Sequence, residues 1–241
     1  MEPLRLLYEP DGLDDLALPS ALAHLYPGTF GFGADLVYAN FVQTIDGAAA
    51  LPDLPRANRL IADESRADLF VMALLRACAD AVLVGAGTVR AAPSNRWTAE
   101  AAFPEWADEL AAFRRGLGLA PEPAVAVLSR TGDLAGAADT LGERLLVLDA
   151  SGPDAVTALR ERGHRRILCE GGPTVFGSLL AAGTVDELFL TVSPLLAGRD
   201  VWTPFASIAE GVALLPAARI AAHLAGVRSH GDHLFLRYAF A

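Results

Sequence analysis

One stretch of the sequence decides the fold: Arg166-Ile167-Leu168-Cys169-Glu170-Gly171-Gly172-Pro173-Thr174-Val175-Phe176. Its first four residues predict a short strand, and an amphipathic helix is predicted to begin at Pro173 and to stop at Gly183. Free backbone N–H groups and the positive end of the helix dipole would then lie at the carboxyl end of the predicted strand. The two glycines would let that backbone approach an anion closely, because they carry no Cβ. The stretch therefore predicts a site for a phosphate-bearing cofactor.

Strands and helices alternate through the middle of the chain, which predicts βαβ crossovers and an α/β fold with a mainly parallel central sheet and helices on both faces. The predicted strands cover residues 36–42, 81–84, 124–128, 144–148 and 166–169. The predicted helices cover residues 64–77, with Asp63 as the cap, 105–117 and 154–162. After residue 184, further strands are predicted at 185–192, 218–224 and 233–240 with no helices between them, so the C-terminal edge of the sheet should be antiparallel.

A single α/β domain is predicted over residues 35–241, preceded by an N-terminal arm or extension over residues 1–34. The N-terminal segment is acidic, contains several prolines and shows little periodicity, and a short helix or an arm is expected from residue 11. Residues 51–61 contain two prolines and are predicted to form a loop.

The composition, with 53% apolar and 20% charged residues, is that of a globular protein, and the formal charge of −10 argues against a general binder of nucleic acid or anionic membranes. No apolar run is long enough to span a bilayer, and the N-terminus does not have the pattern of a signal peptide, so a cytoplasmic protein is expected. Cys78 and Cys169 form no Cys-x-x-Cys pair and are interpreted as buried thiols. The histidines show no ligand spacing, so no metal is expected.

Polar or glycine residues follow several of the predicted strands. They are Thr44-Ile45-Asp46-Gly47, Gly85-Ala86-Gly87-Thr88, Ser129-Arg130-Thr131 and Glu170-Gly171-Gly172. The carboxyl ends of strands in an open parallel sheet line the ligand crevice, so these groups are expected to converge. Ser129 and Arg130 are suitable donors for the 2′-phosphate that distinguishes NADP from NAD, although a solvent-exposed turn is the alternative.

Asp46 and Glu170 are the candidate catalytic residues. Asp46 could orient substrate amide groups or relay a proton, but Asp-Gly is also a common turn dipeptide. Glu170 could accept a hydrogen bond from a ribose hydroxyl or merely cap nearby backbone N–H groups. The functional role of Glu170 is favoured, because a carboxylate beside an anion site is unfavourable unless it has a function there.

Four segments, taken together, resemble the C-terminal reductase domain of the riboflavin-biosynthesis deaminase–reductases, a pyrimidine reductase family with the dihydrofolate reductase fold. They are residues 43–47, 75–89, 170–174 and 183–188, and the resemblance runs from about residue 36 to the C-terminus. No deaminase motif such as His-x-Glu or Pro-Cys-x-x-Cys occurs, so a stand-alone reductase is expected.

The resemblance implies NADPH as the hydride donor and a substrate like 5-amino-6-(5-phosphoribosylamino)uracil, whose ribose is reduced to ribityl without a metal or a covalent intermediate. It also implies a homodimer. Asp46 and Glu170 would face the substrate and the nicotinamide. The residues implied to contact NADPH are Val42, Gly85, Thr88, Ser129, Arg130, Gly171, Gly172, Pro173, Thr174, Val175 and Phe176.

Three positions depart from the family pattern, and all of them concern the substrate. Asn40 stands where a lysine is common, Ala92 stands where an acidic residue is usual, and residues 51–63 contain no clear Ser-x-Trp segment. Two alternatives therefore stay open beside the aminouracil reductase: a dihydrofolate or pterin reductase on the same fold, and a non-catalytic NADPH-binding paralogue.

Overall fold

The computed structural model describes residues 1–51, 54, 57–134, 136–200 and 204–240. The strands in these residues are β1 (Arg5–Tyr8), β2 (Leu36–Thr44), β3 (Ala81–Gly85), β4 (Ala124–Leu128), β5 (Leu145–Leu148), β6 (Arg166–Cys169), β7 (Glu187–Ser193), β8 (Ala222–His230) and β9 (His233–Phe240). They form one nine-stranded sheet in the order β1-β8-β9-β7-β2-β6-β3-β4-β5.

The helices surround this sheet and connect its parallel strands. They are α1 (Ser20–Leu25), α2 (Ala57–Ile61), α3 (Arg66–Cys78), α4 (Ala86–Ala91), α5 (Ala99–Ala102), α6 (Ala107–Gly116), α7 (Ala137–Leu141), α8 (Gly152–Glu161) and α9 (Pro173–Ala181). Single 3₁₀ turns lie at Pro104–Trp106 and Gly142–Arg144. Among the described residues, none of these helices has the length and apolar character needed to cross a bilayer.

The predicted fold class is confirmed. The strands from β7 through β2, β6, β3 and β4 to β5 are parallel, whereas β9, β8 and β1 extend the sheet by antiparallel pairing. The carboxyl ends of the parallel strands therefore meet at one edge, where the polar and glycine segments follow them. Strands β4, β6 and β9 begin and end where the sequence predicted.

Successive residues of β2 belong to two different cores, one on each face of the sheet. Leu36 and Tyr38 lie in the core that also contains residues of α3 and α6, whereas Val37 and Ala39 lie in the core formed with α8 and α9. This alternation follows from the period of two in a strand and confirms the helices on both faces. By the same alternation, Asn40 lies on the α3 face.

Three local predictions were wrong. The cap of α3 is Ser65, whose side chain accepts a hydrogen bond from the N–H of Asp68, and not Asp63, which has a φ of 50°. The predicted loop over residues 51–61 contains α2, although residues 52, 53, 55 and 56 of that prediction lie outside the described residues. The strand predicted at 218–224 begins only at Ala222 and continues to His230.

Residues 1–34, expected to form an arm or extension, pack against the sheet. Strand β1 pairs with β8, and Leu22 and Phe30 are buried in the core on the α3 face. The guanidinium of Arg228 donates to Glu9 at 2.6 Å and lies 4.0 Å from the ring centroid of Tyr26, which ties this segment to β8. The domain boundary at residue 35 stays a prediction.

Candidate active site

The diglycine segment joins the end of β6 to α9 and lies directly beside the end of β3. The N–H of Glu170 donates to the carbonyl of Leu83 at 3.1 Å, and the N–H of Gly85 donates to the carbonyl of Gly171 at 2.7 Å. The peptide bond between Gly171 and Gly172 is cis, and α9 begins at Pro173 as predicted. The backbone of this segment is therefore fixed by its neighbour in the sheet.

Two of the glycines at this junction lie close to neighbouring side chains, and a third has a positive φ. A Cβ at Gly172 would lie 3.3 Å from Oγ1 of Thr88, and a Cβ at Gly85 would lie 3.2 Å from Cγ2 of Val175. Gly171 has a φ of +102°, a conformation that residues with a side chain rarely adopt. The structure thus brings together Gly85, Thr88 and the diglycine, which the sequence places more than eighty residues apart. Together they form a cradle at the N-terminus of α9, in which Gly171 is buried and Gly85, Thr88 and Gly172 are half-buried.

A cleft of about 510 Å³ opens beside this cradle. Its walls contain Ser129, Arg130 and Thr174, three residues that the sequence analysis assigned to the cofactor. Arg90 of α4 and Asp149, which follows β5, also line the cleft and were not predicted. Arg90 could have been found, because it lies two residues after Thr88 of the glycine segment. The cleft offers two guanidinium groups and the hydroxyl groups of Ser129, Thr131 and Thr174, donors suited to a phosphate monoester, beside the carboxylate of Asp149.

The other predicted cofactor residues lie in different surroundings. Val42 is half-buried near the end of β2, where it pairs with Thr191 of β7. Phe176 is fully buried, and its ring lies 4.8 Å from that of Phe41, measured between centroids. A contact of Phe176 with a cofactor would therefore involve its backbone and not its ring.

Asp46 lies in the turn after β2 and is held by hydrogen bonds. It accepts from the hydroxyl of Thr44 and from the N–H groups of Ala197 and Gly198, at 3.0 and 2.8 Å. These three bonds lower the pKa of Asp46 to about 2, because they stabilise the carboxylate. Asp46 therefore connects the turn after β2 to the loop after β7 and is an anion at neutral pH.

Glu170 is buried in an ion pair that the sequence analysis did not foresee. Arg76 of α3 donates from Nε and one terminal nitrogen to both carboxylate oxygens, at 2.8 and 2.6 Å. The two side chains are 4% and 6% exposed, and the Arg76 guanidinium also lies over the ring of Trp97. No sequence pattern indicated this pair, because 94 residues separate its members.

Asp68 was also missed. It lies in the first turn of α3 and is 6% exposed, on the face of the helix that packs over the sheet. Desolvation by burial raises the pKa of Asp68 to about 6, although the nearby side chain of Thr191 favours the carboxylate. Asp68 is the one acidic residue of a largely apolar helix, and this was the signal that could have identified it.

Two of the three departures from the family pattern, Asn40 and Ala92, can be located in the structure. Asn40 lines a cavity of about 10 Å³ between β2, β7 and β9, together with Thr191 and Arg237. Ala92 caps the C-terminus of α4, where its N–H donates to the carbonyl of Val89. Neither position presents a charged side chain to the crevice.

Solved structures with the same fold include reductases. A pyrimidine reductase-like protein from Corynebacterium diphtheriae superposes with a TM-score of 0.63 at 21% identity, covering 93% of this chain and 96% of that protein. A diaminohydroxyphosphoribosylaminopyrimidine deaminase/5-amino-6-(5-phosphoribosylamino)uracil reductase from Thermotoga maritima gives 0.62 at 19% identity, covering 86% of this chain and 57% of that one.

Sequence relatives point to the same family. The riboflavin biosynthesis protein RibD of Mycobacterium tuberculosis is 29% identical over 162 residues, which are 67% of this chain and 42% of that protein. The 2,5-diamino-6-ribosylamino-4(3H)-pyrimidinone 5′-phosphate reductase of Archaeoglobus fulgidus is 27% identical, covering 76% of this chain and 90% of the relative. The chain thus spans less than half the length of the mycobacterial protein. The family model of the RibD C-terminal domain matches residues 35–210, and the chain belongs to that family.

Proposed function

We propose that this protein is an NADPH-dependent reductase that converts the ribose of 5-amino-6-(5-phosphoribosylamino)uracil, or of a close analogue, into a ribityl chain. Membership of the RibD C-terminal domain family supports a reductase of riboflavin biosynthesis. The observation that carries the proposal is the pairing of the glycine cradle with the basic cleft at one edge of the sheet.

The residues present fit a phosphorylated dinucleotide. The cradle at Gly171 and Gly172 would hold the diphosphate, because both residues lack a Cβ and the segment leads into the N-terminus of α9. Ser129, Arg130 and Arg90 would hold a 2′-phosphate in the adjoining cleft. When bound, the reduced coenzyme supplies the hydride.

The remaining site residues would bind and orient the substrate, so that positioning contributes most of the rate enhancement. Asp46 and Glu170 stay proposed site residues, and their contacts favour positioning roles for both. Asp46 fixes the loop after β7, and Glu170 fixes the start of the diglycine segment through Arg76.

Thermal protection by the two coenzymes tests the cofactor assignment. NADPH should raise the melting temperature clearly more than NADH at equal concentration, because only NADPH has the 2′-phosphate. Arg130→Ala should remove most of this difference, whereas Arg115→Ala, an exposed position on α6, should leave it unchanged. Equal protection of the wild-type protein by both coenzymes would contradict the role given to Ser129 and Arg130.

Turnover of three substrates tests the reaction, with NADPH oxidation as the readout. We expect turnover of the phosphoribosylaminouracil or of the diaminopyrimidinone analogue named for the archaeal relative. Turnover of dihydrofolate alone would establish the pterin reductase instead. NADPH binding without turnover of any of the three would establish a non-catalytic NADPH-binding paralogue.

We further propose that the enzyme works in the cytoplasm as a homodimer. Its binding partner would be the small heterocyclic substrate, and it would bind neither nucleic acid nor membranes. The metabolic family supports this location, and the formal charge of −10 disfavours polyanionic partners. Light scattering after size exclusion should give twice the chain mass of 25.3 kDa.

A further inference from the structure

A short segment between β7 and β8 crosses α9 beside the glycine cradle. Residues 206–211, here called the strap, begin at the turn after β2. Ala206 forms an antiparallel bridge with Ala50, whose carbonyl accepts from the N–H of Ala206 at 2.9 Å, and the N–H of Ala49 donates to the carbonyl of Ala206 at 2.8 Å. Ala49 and Ala50 directly follow the turn that contains Asp46. The strap therefore begins on the side of the site that is proposed to orient the substrate.

The other end of the strap is bound to the first turn of α9. The N–H of Glu210 donates to the carbonyl of Pro173 at 3.1 Å. A Cβ at Gly211 would lie 3.4 Å from Cγ2 of Thr174, a residue that lines the basic cleft. Because Pro173 and Thr174 directly follow the diglycine, the strap contacts the same turn of helix that would face the diphosphate.

Helix α9 has a glycine where the strap crosses it. A Cβ at Gly177 would collide with the carbonyl oxygen of Glu210 and would lie 3.1 Å from Cγ2 of Val212. The collision is with backbone, so rotation of a side chain could not relieve it. Glycine is a poor helix residue, and its presence here favours close contact with the strap over the stability of the helix.

The side chain of Glu210 fixes the turn within the strap. Its Oε1 accepts from the N–H of Ser207 at 2.8 Å and lies 3.0 Å from the hydroxyl of the same residue. Ile208 and Ala209, between them, pack against the core on the α9 face. These contacts hold the backbone of residues 207–210 in one conformation and direct the N–H of Glu210 towards Pro173.

We propose that the strap positions the first turn of α9 for the diphosphate of the coenzyme, with Glu210 as the positioning residue. The inference rests on the proposed function and adds a link between its two sides, because six residues connect the turn after β2 to the cradle. An anion site made of backbone N–H groups depends on the direction in which those groups point. The strap acts through α9 and not by touching the coenzyme.

Two variants disturb the strap from opposite sides. Glu210→Ala removes the acceptor within the strap, and Gly177→Ala places a Cβ against its backbone. In calorimetry, each should weaken NADPH binding about tenfold or more, the loss expected when one hydrogen bond to a charged group is misplaced. Glu210→Gln retains an acceptor oxygen for Ser207 and should recover most of the affinity.

Binding of NADH distinguishes the strap from the basic cleft. Because both coenzymes contain the diphosphate, each strap variant should weaken NADH and NADPH by the same factor, whereas Arg130→Ala should weaken NADPH alone. Two matched controls should leave both affinities unchanged. Ser178→Ala changes the next residue of α9, whose hydroxyl donates to the carbonyl of Val175, and Glu161→Ala removes an exposed carboxylate at the end of α8.

Hydrogen exchange in the coenzyme-free protein tests the strap without any ligand. The amide at position 210 and those of residues 174–177 should exchange faster in Glu210→Ala and in Gly177→Ala than in the wild type, because the contact between the strap and α9 is lost. Alanine is normally the better helix residue, so faster exchange in Gly177→Ala would report the collision with the strap.

Each outcome decides the proposal. Unchanged coenzyme affinity in both strap variants would overturn the positioning role and leave the proposed function standing. A loss of NADPH affinity that spares NADH, or an equal loss in Ser178→Ala, would also overturn it. If the wild type bound neither coenzyme, the proposed function would fail and the positioning role with it, even where hydrogen exchange confirmed the contact between the strap and α9.

Discussion

Two regions at the carboxyl ends of the parallel strands are built in different ways. On the side proposed to bind the coenzyme, here called the coenzyme side, glycines form the wall: a Cβ at Gly85 or Gly172 would lie 3.2 or 3.3 Å from a neighbouring side chain, and Gly171 has a φ of +102°. On the α3 side, buried charged groups form it, in the Arg76–Glu170 pair and at Asp68. The comparison teaches that changes on the coenzyme side should affect binding first, whereas changes on the α3 side should affect both folding and chemistry.

Breaking the buried ion pair should have the largest effect. Arg76→Ala leaves the Glu170 carboxylate buried without its bidentate partner, and the free energy of unfolding should fall by about 3–5 kcal/mol. Urea denaturation monitored by circular dichroism measures this change. Arg66→Ala is the matched control, since it removes an arginine of the same helix from a half-exposed pair with Glu105 and should cost only about 0–1 kcal/mol.

A double substitution sharpens this prediction. Arg76→Met combined with Glu170→Met removes both charges, and the variant should recover most of the stability lost in Arg76→Ala, because no unpaired charge remains buried. If Arg76→Ala were no more destabilising than Arg66→Ala, the α3 side would not depend on buried charge, and the comparison between the two sides would fail.

On the coenzyme side, a substitution should change the affinity for NADPH. Gly171→Ala forces a side chain into a φ of +102°, which should cost about 1–3 kcal/mol of stability and reposition the cradle. We expect calorimetry to show NADPH affinity at least about tenfold weaker, which corresponds to about 1.4 kcal/mol. Gly183→Ala, at a φ of +62° in open space beyond α9, also places a side chain at a positive φ but does not touch the cradle, and it should leave the affinity unchanged.

The same difference explains what the sequence could predict. The coenzyme side was predictable because its glycines follow apolar strands directly, and a local pattern of strand, glycine and helix has a physical meaning without knowledge of distant contacts. Gly85, Thr88 and the diglycine were assigned to one site in this way, and the structure places them together. Their predicted role in holding NADPH stays a prediction.

The α3 side was not predictable, because its residues acquire their surroundings from partners far along the chain. Arg76 looked like an ordinary helix residue, and Glu170 like a free carboxylate beside an anion site.

The predicted start of α3 was misplaced for a related reason. Asp63 has a suitable side chain for a cap, but the positive φ values of Asp63 and Glu64 shift the first turn to Ser65.

The cap of α3 provides a smaller test of how that side is organised. Ser65→Ala removes the acceptor of the Asp68 N–H and should lower the free energy of unfolding by about 0.5–2 kcal/mol. Asp63→Gly removes the residue that the sequence favoured as the cap, while allowing the positive φ at that position. It should have no destabilising effect in the same denaturation experiment, and a larger loss than in Ser65→Ala would restore Asp63 as the cap.

The smallest effect is expected at Asp46, which is exposed to solvent. Its pKa is lowered in the folded protein from 3.8 to about 2, so its contribution to stability is present above pH 3.8 and is lost as pH falls through 2. Asp46→Asn should therefore melt at a lower temperature than the wild type at neutral pH, and the difference should shrink as the solution is acidified. Asp11→Asn, at an exposed turn, serves as the control for removing one surface charge. If the difference between Asp46→Asn and the wild type did not change with pH, the shape of the side chain and not its charge would hold the loop after β7 to the turn after β2.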